Sequence, residues 1–313
     1  MTRKRAFRVA CLAGDGVGPE VMAEASRAIA AVSRDHGFTV EEVHAPFGGE
    51  AFARSGHLLP TATRAAYLTA DAVLVASSDE PALAGVVAEL ELQARVVEVR
   101  VNGTASLKLV APLAPEASEW AVERAFRTAL ARSARLTVVA PDARFRRLVD
   151  KVAEGHEGVL VEHVPVTDAV RRLAFEPEAF DVVVTGAGLG DALPEVVGSG
   201  TDAERLTAFG LVGEAPGVFA PGGPAAGDDA GQGVANPSAM LLAAAVMLSE
   251  GLGQRTGAAA LAAALGDTAE LVRTPDRVGS GVGSTTREFM DALLAELPRR
   301  VTTFEFSREA HAA

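Results

Sequence analysis

Apolar positions along the chain fall into short continuous runs separated by longer stretches of helical periodicity. Phe7-Arg8-Val9-Ala10-Cys11-Leu12 has the pattern of a buried strand and stops at Gly14-Asp15-Gly16-Val17-Gly18. Pro19 then opens a helix in its first turn, where a missing N–H costs nothing. Val21, Ala25, Ile29 and Val32 recur at helical spacing, and Gly37 closes the helix. Further strands are predicted over 38–43, 72–76, 96–101, 136–140, 159–162 and 181–185. Helices are predicted near Tyr67 and over 116–131, 145–153, 168–175, 237–251, 257–265 and 284–297. The alanine-rich helix 237–251 is apolar on most sides, which places it in a core or at a subunit contact. Residues 198–233 are rich in Gly, Ala, Pro and Asp with weak periodicity, and read as loops. Continuous apolar strands alternating with helices predict an α/β fold with mostly buried sheets.

Composition narrows the function classes. The chain has 313 residues, 49% hydrophobic and 22% charged, which excludes intrinsic disorder, collagen-like repeats and a small disulfide scaffold. One cysteine, Cys11, allows no intrachain disulfide and suits a reducing, cytoplasmic setting. It lies inside an apolar strand and reads as core, not as a nucleophile. The net charge of -12 repels phosphate backbones and anionic lipid, so neither nucleic acid nor a membrane is expected as a partner. The longest apolar run, 239–248, is too short to span a bilayer, and the apolar stretch after the basic start is too short for a secretory signal. There is one tyrosine, Tyr67, and the lysines are Lys4, Lys108 and Lys151. Chemistry that needs a phenol or an amine therefore has almost no candidates.

Few motifs point to chemistry by themselves. In Gly14–Gly18 the strand–glycine–helix order suggests a dinucleotide fingerprint, but Pro19 stands where the third glycine belongs. Asp15 would also oppose a pyrophosphate, so a tight turn is the better physical reading. Asp191 and Glu195 follow the strand at 181–185, and a spacing of four at a helix start puts them on one face. Such oxygen donors can hold Mg²⁺ or Mn²⁺, while acids in a first turn also complement the helix dipole. Asp168 begins another helix, where an aspartate alone is a cap. The histidines show no metal-type spacing, which argues against zinc. No nucleophile elbow and no Walker loop are present.

Three segments together resemble one family. They are Leu12-Ala13-Gly14-Asp15-Gly16-Val17-Gly18-Pro19-Glu20-Val21; Phe180-Asp181-Val182-Val183-Val184-Thr185-Gly186 with Leu189-Gly190-Asp191; and Ala230-Gly231-Gln232-Gly233-Val234-Ala235-Asn236-Pro237. Phe47-Gly48-Gly49, Thr274-Pro275-Asp276 and Gly281-Val282-Gly283-Ser284-Thr285 are lesser echoes in the same order. The sequence resembles the isopropylmalate/isocitrate dehydrogenases, the β-decarboxylating 2-hydroxyacid dehydrogenases. The resemblance implies two α/β lobes with a cleft between them, the first lobe from 1–104 and 198–313 and the second from 105–197. It further implies a cytoplasmic homodimer acting on a small molecule, with NAD and Mg²⁺ or Mn²⁺ as cofactors. By the same resemblance Asp228 falls at the ribose-binding aspartate and Asn236 at the adenine-contacting asparagine, with Gly231 and Val17 completing the nucleotide set. Asp191, Glu195 and Asp168 fall at or beside the metal carboxylates, and Asn102 at a substrate-side asparagine.

The chain also departs from the family. Gln93 and Gly103 stand where the first two substrate arginines belong, and Arg95 and Arg100 lie nearby but out of phase. Leu107-Lys108-Leu109-Val110-Ala111-Pro112 runs almost directly into the helix at 116–131, so the segment that carries a third arginine, the catalytic tyrosine and the subunit clasp is missing. Pro141-Asp142-Ala143-Arg144 occupies the place of the catalytic lysine, and an arginine stays protonated and cannot serve as its base. The expected function is a divergent family member whose oxidative decarboxylation is lost or replaced. The alternative is an active NAD-dependent dehydrogenase on an altered hydroxy acid. New chemistry on a neutral or cationic substrate is a third reading.

Overall fold

The computed structural model describes residues 5–77, 81–101, 105–198, 205–214, 216–222, 229–278 and 282–297. The chain divides into two compact units, 1–90 with 216–313, and 91–215. In the first unit Ala6–Leu12 forms β1, Gly18–Asp35 α1, Thr39–His44 β2, Gly48–Ser55 α2, Thr61–Leu68 α3, Ala72–Val75 β3 and Ala82–Glu89 α4. The second unit runs from β4 (Leu92–Val101) through β5 (Ala105–Pro112), α5 (Ser118–Leu130), β6 (Arg135–Val139) and α6 (Ala143–Ala153). It continues with β7 (Leu160–His163), α7 (Val166–Phe175), β8 (Val182–Thr185), α8 (Ala192–Gly198) and β9 (Arg205–Gly213). The chain then re-enters the first unit with β10 (Gly217–Pro221), α9 (Ser238–Val246), α10 (Arg255–Leu271), α11 (Pro275–Val278) and a final helix, α12, over 286–297.

In the first unit the strands run parallel in the order β2-β1-β3-β10. β1 is flanked on both edges, and Val9, Ala10, Cys11 and Leu12 are correspondingly all buried. α1 buries Val21, Met22, Ala25, Ala28, Ile29 and Val32, the stripe its periodicity predicts. α9 is buried from Met240 to Val246, so the all-round apolar helix is core within its own unit. It continues as a π turn over Met247–Gly251 and ends near Gly253, whose φ of +66° suits glycine.

In the second unit the order is β9-β4-β5-β8-β6-β7. β4 pairs antiparallel with both β5 and β9, and the remaining pairs are parallel. Three differences from the sequence reading concern this region and its exit. β4 begins at Leu92 instead of Val96, 107–112 is a full strand, and the supposed loops of 198–233 contain β9 and β10. Arg205–Gly213 holds three Gly or Ala in nine residues and Gly217–Pro221 two in five, which interrupts their short apolar runs, yet Ala208, Leu211, Val218, Phe219 and Ala220 are all buried. Long-range ladder pairing, for example Val97 with Phe209, made strands of segments that local propensity left open. β4 pairs with β5 along one edge and with β9 along the other, with a register shift near Leu92, which places both β4 and β9 in the unit containing the middle of the chain.

Candidate functional site

The nucleotide-type residues all belong to the first unit. Gly14 and Gly16 take left-handed φ of +66° and +61°, and Gly18 N–H donates to Asp15 O at 3.0 Å to close the turn. A Cβ on Gly18 would lie inside the van der Waals shell of the Ala13 carbonyl oxygen. The side chain of Asp15 turns away from this loop and accepts from Gly49 N at 2.6 Å and Glu50 N at 2.8 Å, capping the start of α2. Val17 is buried, and its carbonyl accepts the first amides of α1. Glu20, in the first turn of α1, accepts from Gly231 N and, at 3.1 Å, from Gly233 N. Both glycines are left-handed, with φ of +76° and +68°. Glu20 therefore ties the loop before α9 to α1, a role sequence reasoning did not assign.

Asn236 is engaged at both ends. Its Oδ1 accepts from Ser238 N at 2.9 Å at the start of α9, and its Nδ2 donates to Thr274 Oγ1 at 2.9 Å. Thr286 adds two more ties, from its N to Gly233 O at 2.9 Å and from its Oγ1 to Ala235 O at 2.7 Å. Asp228, the expected ribose ligand, lies outside the described residues, as does Asn102.

The metal-type acids belong to the second unit. Asp191 immediately precedes α8, Glu195 lies in its first turn, and Asp168 lies in the first turn of α7. All three are exposed. Asp191, 81% exposed, has a cationic partner already: Arg95 Nη2 on β4 is 3.0 Å from its Oδ1. The Arg95 guanidinium also lies 5.0 Å from the centroid of the Phe209 ring, so cation–π attraction and the ion pair hold it together. Arg95, out of phase with the family's substrate arginine in sequence, meets the acid Asp191 instead. Among the described residues, the one cluster of three or more His, Cys, Asp or Glu ligand atoms within 4.8 Å is Cys11, Glu42 and His44 in the first unit. Asp168, Asp191 and Glu195 do not converge in this way.

The phenol and the described amines are committed elsewhere. Tyr67 is fully buried and donates to Glu89 Oε2 at 2.5 Å. Burial first, then Glu89, pushes its phenol up to about 12. Lys108 is buried with its Nζ 3.5 Å from Glu98 Oε2, and Ser106 Oγ donates to the other carboxylate oxygen at 3.1 Å. Lys151 is exposed beside Glu119 at 3.5 Å. Asp142 caps α6 by accepting from Phe145 N at 2.8 Å, and Arg144 is exposed. Burial, with a smaller push from Glu42, raises the Cys11 thiol well above the ordinary range, as expected of a cysteine inside a buried strand.

A profile described as isocitrate/isopropylmalate dehydrogenase matches residues 8–101 and 96–293. This chain belongs to that family. The 3-isopropylmalate dehydrogenase of Lactococcus lactis is 28% identical, covering 92% of this chain and 98% of the relative. That of a Synechococcus strain is 32% identical, covering 82% and 89%. Among solved structures, a beta-decarboxylating dehydrogenase of Thermococcus kodakarensis superposes with a TM-score of 0.79 at 25% identity, covering 94% of this chain and 96% of the other. An isocitrate dehydrogenase of Methylococcus capsulatus shares the fold, with a TM-score of 0.76 at 21% identity over 93% of this chain and 99% of the other.

Family membership raises the question of whether this chain's residues suit the family's metal and NAD. The carboxylates have the right donor chemistry for Mg²⁺ or Mn²⁺, but one oxygen of Asp191 is already paired with the Arg95 guanidinium, and Asp168, Asp191 and Glu195 do not converge on one point. The set as found does not fit a metal well. On the nucleotide side, the described polar groups are engaged in holding the loop and the start of α9. No helix among the described residues is long and apolar enough to cross a membrane.

Proposed function

We propose that this isocitrate/isopropylmalate dehydrogenase family member does not carry out the family's oxidative decarboxylation, and that it uses the family framework to bind a small molecule without oxidising it. One observation carries the reading: the single tyrosine and Lys108 are buried and held by the carboxylates of Glu89 and Glu98, and Lys151 is an exposed side chain beside Glu119. A positioned acid or base is worth roughly 10²–10⁴-fold in rate. Losing the base, its phenolic partner and the substrate arginines together removes more than a weakened site can supply. The pairing of Asp191 with Arg95 supports the same conclusion. Homodimerisation and a cytoplasmic setting belong to this reading through the family.

The test is NADH formation by the purified chain with NAD⁺, Mn²⁺ and isopropylmalate, isocitrate or malate. The expected result is no signal above the enzyme-free baseline. Turnover of any of these that disappears in Asp191→Ala would overturn the proposal. It would favour the second reading, a dehydrogenase for an altered 2-hydroxy acid using NAD and the acids Asp191 and Glu195. The placement of both acids at the start of α8 is the observation that keeps that reading in play.

A further inference from the structure

The strongest unassigned chemistry lies at the edge of the first unit's sheet. Cys11 near the end of β1 is the register partner of His44 at the end of β2. Val9, two residues earlier on β1, is the partner of Glu42, so Glu42 and His44 lie on one face of β2 and Cys11 beside them. The Sγ, a carboxylate oxygen and a ring nitrogen all fall within 4.8 Å of one another. Glu42 Oε2 and His44 Nε2 are 3.1 Å apart.

We infer that Cys11, Glu42 and His44 form a zinc-type site, with the thiolate, a carboxylate oxygen and the neutral imidazole as three ligands and the fourth position open to solvent. Four features carry this. First, ligand atoms about 2.0–2.3 Å from a tetrahedral Zn²⁺ stand roughly 3.3–3.8 Å from each other, so this cluster needs only small side-chain adjustments. Second, one thiolate and one carboxylate neutralise a dication, so the complex adds no net charge to a partly buried place. Third, the ligands range from deep to shallow. Cys11 is 1% exposed, while the Glu42 and His44 side chains are 18% and 56% exposed. An ion can therefore enter past the imidazole and be gripped from below by sulfur. Fourth, a sulfur–imidazole–carboxylate set favours zinc and cobalt over the hard ions Mg²⁺ and Ca²⁺. Binding replaces the thiol proton with the metal, and that proton leaves to solvent on the His44 side.

The site shares no residue with the acids at α7 and α8, so it stands whether or not the chain oxidises anything. Ungapped spacing rules could not find it, because Cys11 and His44 are brought together by strand pairing across the whole of α1.

The experiment is a Co²⁺ titration of the full chain, kept reduced with a phosphine, followed by visible and near-ultraviolet absorption. Expected are one Co²⁺ per chain, intense low-symmetry d–d bands, a sulfur-to-cobalt charge-transfer band, and displacement by one equivalent of Zn²⁺ but not by excess Mg²⁺. Cys11→Ser should abolish the charge-transfer band. Because that substitution is in the core, the exposed His44→Ala serves as the second variant and should weaken Zn²⁺ more than about tenfold. Glu119→Gln, an exposed acid of the second unit, should leave the titration unchanged. A weak spectrum like that of the hydrated ion, or affinity equal in His44→Ala and the parent chain, would overturn the assignment.

Discussion

Replacing Arg95 with glutamine tests whether a protein cation has taken the place of a metal ion at Asp191. A dication coordinated by Asp191 Oδ1 would sit about 2 Å from that oxygen, and Arg95 Nη2 is 3.0 Å from the same atom. The two positive centres would then be about 5 Å apart. At water's dielectric constant a dication and a unit charge at that distance repel by about 1.7 kcal/mol, or roughly 20-fold in Kd. Asp191 is 81% exposed, so salt screens part of this repulsion and the figure is an upper estimate. Swinging the guanidinium aside avoids the repulsion but gives up the Phe209 ring contact, worth about 0.5–1 kcal/mol. Arg95→Gln should therefore bind Mn²⁺ severalfold, up to about tenfold, more tightly than the parent chain, measured by the loss of the free-ion electron paramagnetic resonance signal. Folding stability should barely change, because an ion pair this exposed contributes at most about 1 kcal/mol. Asp191→Asn in the Arg95→Gln background should remove the gain. Equal Mn²⁺ affinity with and without Arg95 would refute the reasoning and leave the acids available to the family's metal.

Two further outcomes follow from groups inside the first unit. The single tyrosine makes its own titration directly readable by phenolate absorbance: the Tyr67 midpoint should lie near 12, against about 10 in the unfolded chain. Since the folded state favours the protonated phenol, this stabilisation is complete below pH of about 10 and is lost as pH rises through the folded value. A folded-state midpoint near 10, or no change in alkaline stability in Tyr67→Phe, would contradict it. Gly18→Ala should lower stability by about 3 kcal/mol or more in denaturant unfolding, because the added carbon meets the backbone oxygen of Ala13 and cannot rotate away. Gly37→Ala, left-handed at +76° but with open space, should cost only about 1 kcal/mol; equal losses would show that contact is not what Gly18 prevents.

Much of the fold was legible because its strands are central and its helices two-faced. β1, β3 and β8 are short apolar runs, and α1 shows a clear stripe, so both kinds announce themselves locally. β9 and β10 do not, because their glycine and alanine content carries little signal until β4 and β3 supply a partner. The site shows the same division. The acids Asp191 and Glu195 at the start of α8 could be placed from the sequence, since dipole effects are local, whereas Asp168 is not the cap the sequence suggested: α7 begins at Val166 and Asp168 lies within its first turn. The pairing of Arg95 with Asp191 could not, because it depends on which side chain of β4 faces α8. Nor could the meeting of Cys11 with His44, which is a matter of strand register.

The resemblance to the family rests largely on residues that the fold itself uses. Asp15 caps α2, Glu20 anchors two glycine amides, Gly18 admits a backbone carbonyl, and Asn236 joins the start of α9 to Thr274. Each would be needed to keep these elements in place even if no nucleotide were ever bound, so their presence is not evidence that NAD is. The groups whose loss is proposed, a phenol and an amine free to move protons, have no such folding role and can vanish without disturbing a strand or helix. A chain can therefore match the family's profile over nearly its whole length while lacking the family's chemistry. Asp191 and Glu195 decide between the two cases, since they are exposed and are not required by the core. If Arg95 is the cation Asp191 has acquired, the acids are kept for a charge pair and a helix start. If removing Arg95 changes nothing, the simplest account of their position is a metal that the protein still uses.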